Sequence, residues 1–111
     1  MVDKPMAWEL YLFIENDGQL YRSQTQSIIH NYAIRKIKGI YDAKRAITGW
    51  LNLVENGIRK YKKEFPGYYN IGKETKILVA KHLANAYAEE IAMKVRKMKT
   101  LKKSGKPWQR R

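Results

Sequence analysis

The stretch from Asp42 to Phe65 constrains the fold more than any other part of this chain. Its apolar residues recur every three or four positions and share one face of a helix at about 100° per residue. They are Ala43, Ile47, Trp50, Val54, Ile58, Tyr61 and Phe65. Asp42 is placed to cap the first turn, and Pro66-Gly67 supply a stop. Because so wide an apolar stripe must be buried, the rest of the chain is expected to pack around this helix.

The length and composition indicate a single globular domain. The chain has 111 residues, of which 44% are hydrophobic and 30% are charged, which is the composition of a folded rather than a disordered chain. It has no cysteine, and therefore no disulfide, thiolate metal site or thiol chemistry. The sequence contains no run of about 18 apolar residues, so no membrane-spanning helix is predicted. The first residues lack the features of a signal peptide. We expect a cytoplasmic protein.

The N-terminal segment, residues 6–15, admits two interpretations. Its dense apolar run, followed by Asn16-Asp17-Gly18, is compatible with the first arm of a short β-hairpin. Alternatively, Trp8 and Tyr11 share a helical face and Asp17 caps a following helix. The polar residues that would form the returning arm do not alternate with apolar ones, which favours the helix.

Two further helices are predicted. One runs from about Leu20 to Lys38 and ends at Gly39. The other runs without interruption from about Lys73 to about Met98 and carries alanines that let a second helix approach closely. The fold class is therefore all-α, a compact bundle of three to four helices formed by residues 1–98. Residues 99–111 form a basic C-terminal tail.

The formal net charge of +13 is concentrated at the C-terminal end. Residues 94–111 hold nine of the 23 Lys and Arg and none of the 10 Asp and Glu. These nine are Lys94, Arg96, Lys97, Lys99, Lys102, Lys103, Lys106, Arg110 and Arg111. Residues 1–93 therefore carry an excess of only four. Charge of this density predicts salt-dependent binding to nucleic acid phosphates, with Trp108 placed to stack on a base. The alternatives are an acidic protein or membrane surface and a purely solubilising tail.

A second basic patch is predicted on and before the central helix. Its members are Arg35, Lys36, Lys38, Lys44, Arg45, Arg59, Lys62 and Lys63. Two helices joined near Gly39 suggest a comparison with a helix-turn-helix, whose second helix enters the major groove. Few side chains suited to reading base edges stand at the start of the central helix. An ordinary solvated helix face explains the same pattern.

The aromatic residues divide into core and loop positions. Six lie on apolar stripes and are expected in the core: Tyr11, Tyr21, Tyr32, Trp50, Tyr61 and Tyr87. Tyr68 and Tyr69 lie in a Pro/Gly loop and are candidates for a stacking contact, although packing back over the core is favoured.

The sequence offers little for catalysis. His30 and His82 are isolated from one another and from carboxylates at metal-ligand spacing. No phosphate-binding glycine loop or nucleophile motif occurs. We therefore expect a protein that is not an enzyme and needs no cofactor or metal.

Part of the chain resembles small proteins found in phage and environmental sequences. That group has a W-E-L-x-L-x-I-x-N-D opening, a Y-D helix start and a K-Y-x-K-E-F ending. The matching positions are Trp8-Glu9-Leu10, Asn16-Asp17, Tyr41-Asp42 and residues 60–65. The resemblance covers about half the chain, excludes the basic tail and brings no activity with it. It implies a phage origin and hence the host cytoplasm.

Together these features predict a nucleic-acid-binding protein, with DNA or RNA held mainly by backbone contacts and little sequence readout. The alternative is a small phage-type modulator that docks on a host protein or assembly through a basic surface. A homodimer formed by pairing of apolar stripes is a third hypothesis.

Overall fold

The computed structural model describes residues 4–40, 43–67 and 69–103 of the chain, and these form five helices. They are α1 (Lys4–Asn16), α2 (Gly18–Leu20, a π-helical turn Tyr21–Thr25, and Gln26–Ile37), α3 (Ala43–Glu64), α4 (Lys73–Ala86) and α5 (Ala88–Lys103). No strand occurs among the described residues. The all-α prediction is confirmed. The five helices are one more than the upper limit of the predicted three to four.

The junction between α1 and α2 rules out the β-hairpin alternative. Residues predicted as its first arm lie within α1. Asp17 then caps α2, because its Oδ1 accepts a hydrogen bond from the backbone N–H of Leu20 at 2.9 Å. The same carboxylate forms an ion pair with Lys60 of α3, at 2.7 Å between Oδ2 and Nζ. The Asp17 side chain therefore caps the N-terminus of α2 and also links α2 to α3 through an ion pair.

We expect Asp17→Asn to lower the free energy of unfolding at pH 7 by up to about 1 kcal/mol. Lys60 holds the pKa of the Asp17 carboxyl below its ordinary value, while hydrogen bonds to Leu20 and Gln19 act in the same direction. As the pH is lowered, the Asp17 carboxyl is therefore protonated in the unfolded chain before it is protonated in the folded protein. The contribution of the ion pair to stability is lost as the pH falls through the pKa of the folded state. Asparagine keeps an oxygen that can accept the capping hydrogen bond. The substitution therefore measures the effect of the negative charge separately from that of the cap.

Urea unfolding of both proteins at neutral pH and near pH 2 measures this difference. The gap between them should close at the acidic pH. A gap of equal size at both pH values would contradict the role assigned to the carboxylate.

The central position of α3 is confirmed. Trp50, Val54, Ile58 and Tyr61 are buried as predicted. Phe65 departs from the prediction, since it lies just past the end of α3 and is 47% exposed. The predicted cap, Asp42, lies outside the described residues.

Two glycines let other helices approach α3 closely. A Cβ at Gly57 would stand 2.4 Å from Ile14 Cγ1 of α1, and one at Gly49 would stand 2.7 Å from Tyr32 Oη of α2. The backbone N–H of Gly49 donates to that Tyr32 hydroxyl at 3.1 Å. A side chain at either position would therefore force Ile14 or Tyr32 to shift, and glycine allows the close approach to α3.

The predicted single C-terminal helix is wrong, because it breaks at Tyr87. This residue ends α4 with φ −102° and ψ 5°, and its buried ring stacks on Trp50 at 5.6 Å between centroids. The break redirects the chain, so that α4 packs on α1 and α3 while α5 packs along α2. Helix α5 also continues to Lys103, beyond the predicted end at Met98.

None of the helices among the described residues combines the length and the apolar character that crossing a membrane requires.

Candidate nucleic-acid interface

Helices α2 and α5 run side by side in the same direction. Near their starts, the Tyr21 hydroxyl donates to Glu90 Oε2 at 3.0 Å. Further along, Gln26 and Ile29 share a groove with Met93 and Lys94. Because both helices rise by about 1.5 Å per residue, the end of α2 at Ile37 lies level with about residue 101 of α5. The two helices therefore end at the same end of the molecule.

This arrangement brings together two basic segments that are 62 residues apart when counted from Arg35 to Lys97. Arg35, Lys36 and Lys38 at the end of α2, and Lys97 and Lys99 on α5, are all exposed. We call these five residues the basic end. Lys102 and Lys103 lie in the last turn of α5 and Lys44 and Arg45 in the first turn of α3, so the backbone places them at the same end.

The carboxylates of the described residues lie elsewhere in the fold. They are Glu9, Glu15, Asp17, Glu55, Glu64, Glu74, Glu89 and Glu90. On α5 the last of them precedes Lys97 by seven residues, or about 10 Å of helix. On α5 itself, Lys97 and Lys99 are therefore at least about two turns away from the nearest carboxylate of the described residues.

The remaining members of the predicted second patch are far away. Lys62 lies 18 residues after Lys44 on the same helix, which separates them by about 27 Å. Lys62 and Lys63 are exposed at the opposite end of α3, and Arg59 Nη1 donates to Asn56 Oδ1 at 2.7 Å. The predicted patch is thus divided between the two ends of the bundle.

The predicted C-terminal cations also differ in their surroundings. Arg96 forms an exposed ion pair with Glu89 at 3.2 Å, which contributes little to stability. Lys94 is partly buried in the groove beside Glu90. Lys94 is therefore less accessible to an anionic ligand than Lys97 and Lys99, and the charge of Arg96 is partly compensated by Glu89. Lys106, Trp108, Arg110 and Arg111 lie outside the described residues.

A small groove between α2 and α3 adjoins the basic end. Asn31, Thr48 and Asn52 line it together with Arg35, and these side chains are exposed. Asn56 donates a hydrogen bond to Gln24, and Gly49 donates one to Tyr32. Because the later residue of α2 pairs with the earlier residue of α3, the two helices run antiparallel. This differs from a helix-turn-helix, whose helices cross at about 90–120°.

Of the two loop tyrosines, the structure describes Tyr69, and this residue packs back over the core as the favoured interpretation predicts. Tyr69 is partly buried and packs edge-on against Tyr61, at 5.3 Å between ring centroids. Tyr68 lies outside the described residues. A cluster that we did not predict consists of Trp8, which is exposed, and of Tyr11 and His82, which are partly buried, with centroids 5.2 to 6.1 Å apart. Its detection from sequence would require knowing that α1 packs on α4.

Two tyrosines lie close to carboxylates, Tyr87 in the core and Tyr11 in a partly buried position. Burial, with Glu15 and Glu90 nearby, raises the pKa of Tyr87 to about 12. Burial and a hydrogen bond to Glu15 raise the pKa of Tyr11 to about 12. Both hydroxyls therefore stay protonated at neutral pH, and that of Tyr11 donates a hydrogen bond to Glu15.

Among the described residues, no group of three or more His, Cys, Asp and Glu is placed to hold a metal ion. Comparisons with protein-family models, with curated proteins and with solved structures find no match to this chain.

Proposed function

We propose that the protein binds nucleic acid through the basic end, chiefly by contacts to phosphates. The observation that supports this most directly is the shared end of α2 and α5, where Arg35, Lys38, Lys97 and Lys99 are exposed together. Cations grouped on rigid helix ends can neutralise several phosphates at once and release their counterions. In the sequence, Lys103 is followed by three further cations and Trp108, which would add phosphate contacts and a stacking ring.

Contacts beyond the phosphates would be few. The groove beside Arg35 offers Asn31, Thr48 and Asn52, whose amides and hydroxyl suit a sugar or a base edge. No described helix presents a continuous row of such side chains along the basic end. The expected ligand is therefore recognised by its charge, with little sequence readout.

The test is a salt titration of binding to a short single-stranded and a short double-stranded DNA. We expect Lys38→Gln with Lys99→Gln to lower the slope of log Kobs against log salt by about 1.5–2. Affinity at about 0.1 M salt should fall at least tenfold. The matched control is Lys62→Gln with Lys63→Gln, which removes the same charge from the opposite end of α3. Equal losses in both variants would contradict a localised site.

An acidic protein surface is the second candidate ligand. Ile40 is 63% exposed beside Lys38, and an exposed aliphatic side chain next to cations suits a protein partner better than a phosphate backbone. Capture of partners before and after nuclease treatment separates the two candidates. Partners of a nucleic-acid binder are lost on treatment, and those of a protein-docking module are retained.

A further inference from the structure

An open groove of about 550 Å³ lies between α1 and the end of α3, at the opposite end from the basic end. Leu12, Phe13 and Phe65 supply its apolar surface, and Glu9, Asp17 and Glu64 supply carboxylates. The Asp17 carboxylate is neutralised by its ion pair with Lys60, so the negative charge of this groove comes from Glu9 and Glu64, which are both exposed. We call this groove the acidic groove.

The apolar part of the acidic groove is aromatic. Phe65, 47% exposed, packs on Tyr61 at 5.0 Å and meets Phe13 edge-on at 6.2 Å. Phe13 in turn meets Tyr61 edge-on at 5.3 Å. Such a surface suits a further aromatic ring in an offset or edge-on position. The exposed Glu9 and Glu64 suit cations on either side of that ring.

We propose that the acidic groove binds the segment 104–111 of a second copy of this chain. That segment carries one aromatic residue, Trp108, between Lys106 on one side and Arg110 and Arg111 on the other. Its pattern of cation, ring and cations is complementary to the carboxylates and rings of the groove. The indole packs on Phe13 and Phe65, and the cations lie against the acids.

The reach of the chain makes the contact intermolecular. Asp17 borders the groove, and α2 rises about 30 Å over the 20 residues from there to Ile37. The end of α5 lies level with Ile37, as described above. Trp108 follows Lys103 by five residues, which span at most about 18 Å. The indole therefore cannot reach the groove of its own chain.

A contact between two different surfaces joins copies head to tail, as an open chain or a closed ring. The contact area is that of a short segment, so a dissociation constant between about 1 µM and 1 mM is expected. The attraction between charged groups should weaken as salt is added.

The test is sedimentation velocity of the full chain, free of nucleic acid, over a range of concentrations. The sedimentation coefficient of the unsubstituted protein should rise with concentration. Trp108→Ala and Phe65→Ala should each weaken self-association at least about 30-fold, as expected for a central aromatic contact. Trp8→Ala is the matched control, because Trp8 is 53% exposed but lies outside the groove, and it should associate normally.

Mixing provides the decisive measurement. Trp108→Ala retains an intact groove and Phe65→Ala retains an intact tail, so an equimolar mixture should form a heterodimer that neither variant forms alone. A mixture that remains monomeric overturns the proposal, as does a sedimentation coefficient that is independent of concentration. Loss of association in Trp8→Ala also overturns it, by locating the contact elsewhere.

This inference does not depend on nucleic-acid binding. Lys38→Gln with Lys99→Gln, the variant that tests the basic end, should self-associate normally in the same experiment. Failure of either proposal therefore leaves the other intact.

Discussion

Trp50→Ala is expected to lower the free energy of unfolding by about 3–5 kcal/mol. Trp50 is 1% exposed, and its ring stacks on Tyr87 and contacts Tyr32 at 5.9 Å between centroids. Alanine would leave a cavity where α2, α3 and the start of α5 meet. Because a domain is typically stabilised by only about 5–15 kcal/mol, a large part of the stability would be lost.

Urea unfolding followed by far-ultraviolet circular dichroism measures this loss. Trp8→Ala provides a comparison at a tryptophan that is 53% exposed, and it should lower the free energy of unfolding by only about 1 kcal/mol, because it removes ring contacts with Tyr11 and His82. Similar values for the two variants would show that Trp50 does not occupy the centre of the core.

Gly57→Ala should destabilise the protein by about 2 kcal/mol, even though alanine favours a helix over glycine by about 1 kcal/mol. The new Cβ would stand 2.4 Å from Ile14 Cγ1 and 2.5 Å from Cδ1. Ile14 is 1% exposed, so its side chain can move only by displacing its neighbours in the core. Helices α1 and α3 would have to separate.

Thermal or urea unfolding tests this expectation, and a double variant identifies its cause. Ile14→Ala removes the atoms that the new methyl group would meet, so adding Gly57→Ala to it should cause no further loss. Gly67→Ala serves as the control, since its Cβ would meet Tyr69 at an ordinary 3.6 Å. Additive losses in the double variant would mean that the close approach is not the reason.

The sequence predicts those parts of the fold that depend on local pattern. The apolar stripe of α3 identifies Trp50, Val54, Ile58 and Tyr61 as core residues, and all four are buried. Gly39 ends α2 and has a φ of 73°, which glycine adopts without strain. Periodicity and local turn chemistry suffice for these elements because each is determined by residues within a few turns.

The break at Tyr87 could not be predicted in the same way. Residues 86–88 contain no glycine or proline, and the apolar spacing continues across them. At the break, the Tyr87 ring stacks on Trp50, a partner 37 residues earlier in the chain. A local pattern contains no information about such a contact.

Tertiary packing likewise determines which cations lie together. From sequence, Arg35 and Arg59 belong to one patch, and Lys97 to another. In the structure, Arg35 lies with Lys97 because α2 and α5 are parallel, whereas the length of α3 separates Arg59 from Lys44. The direction of a helix relative to its neighbours is a property of the assembled bundle.

The shared direction of α2 and α5 also has an electrostatic consequence for how a ligand can approach. Each helix carries roughly half a negative elementary charge at its C-terminal carbonyl groups, and here two such ends lie side by side. A polyanion placed over the helix ends would meet these carbonyls, whereas Lys97 and Lys99 are exposed at least four residues before the end of α5. A strand bound as proposed should therefore lie along the side of α5 and not over the helix ends.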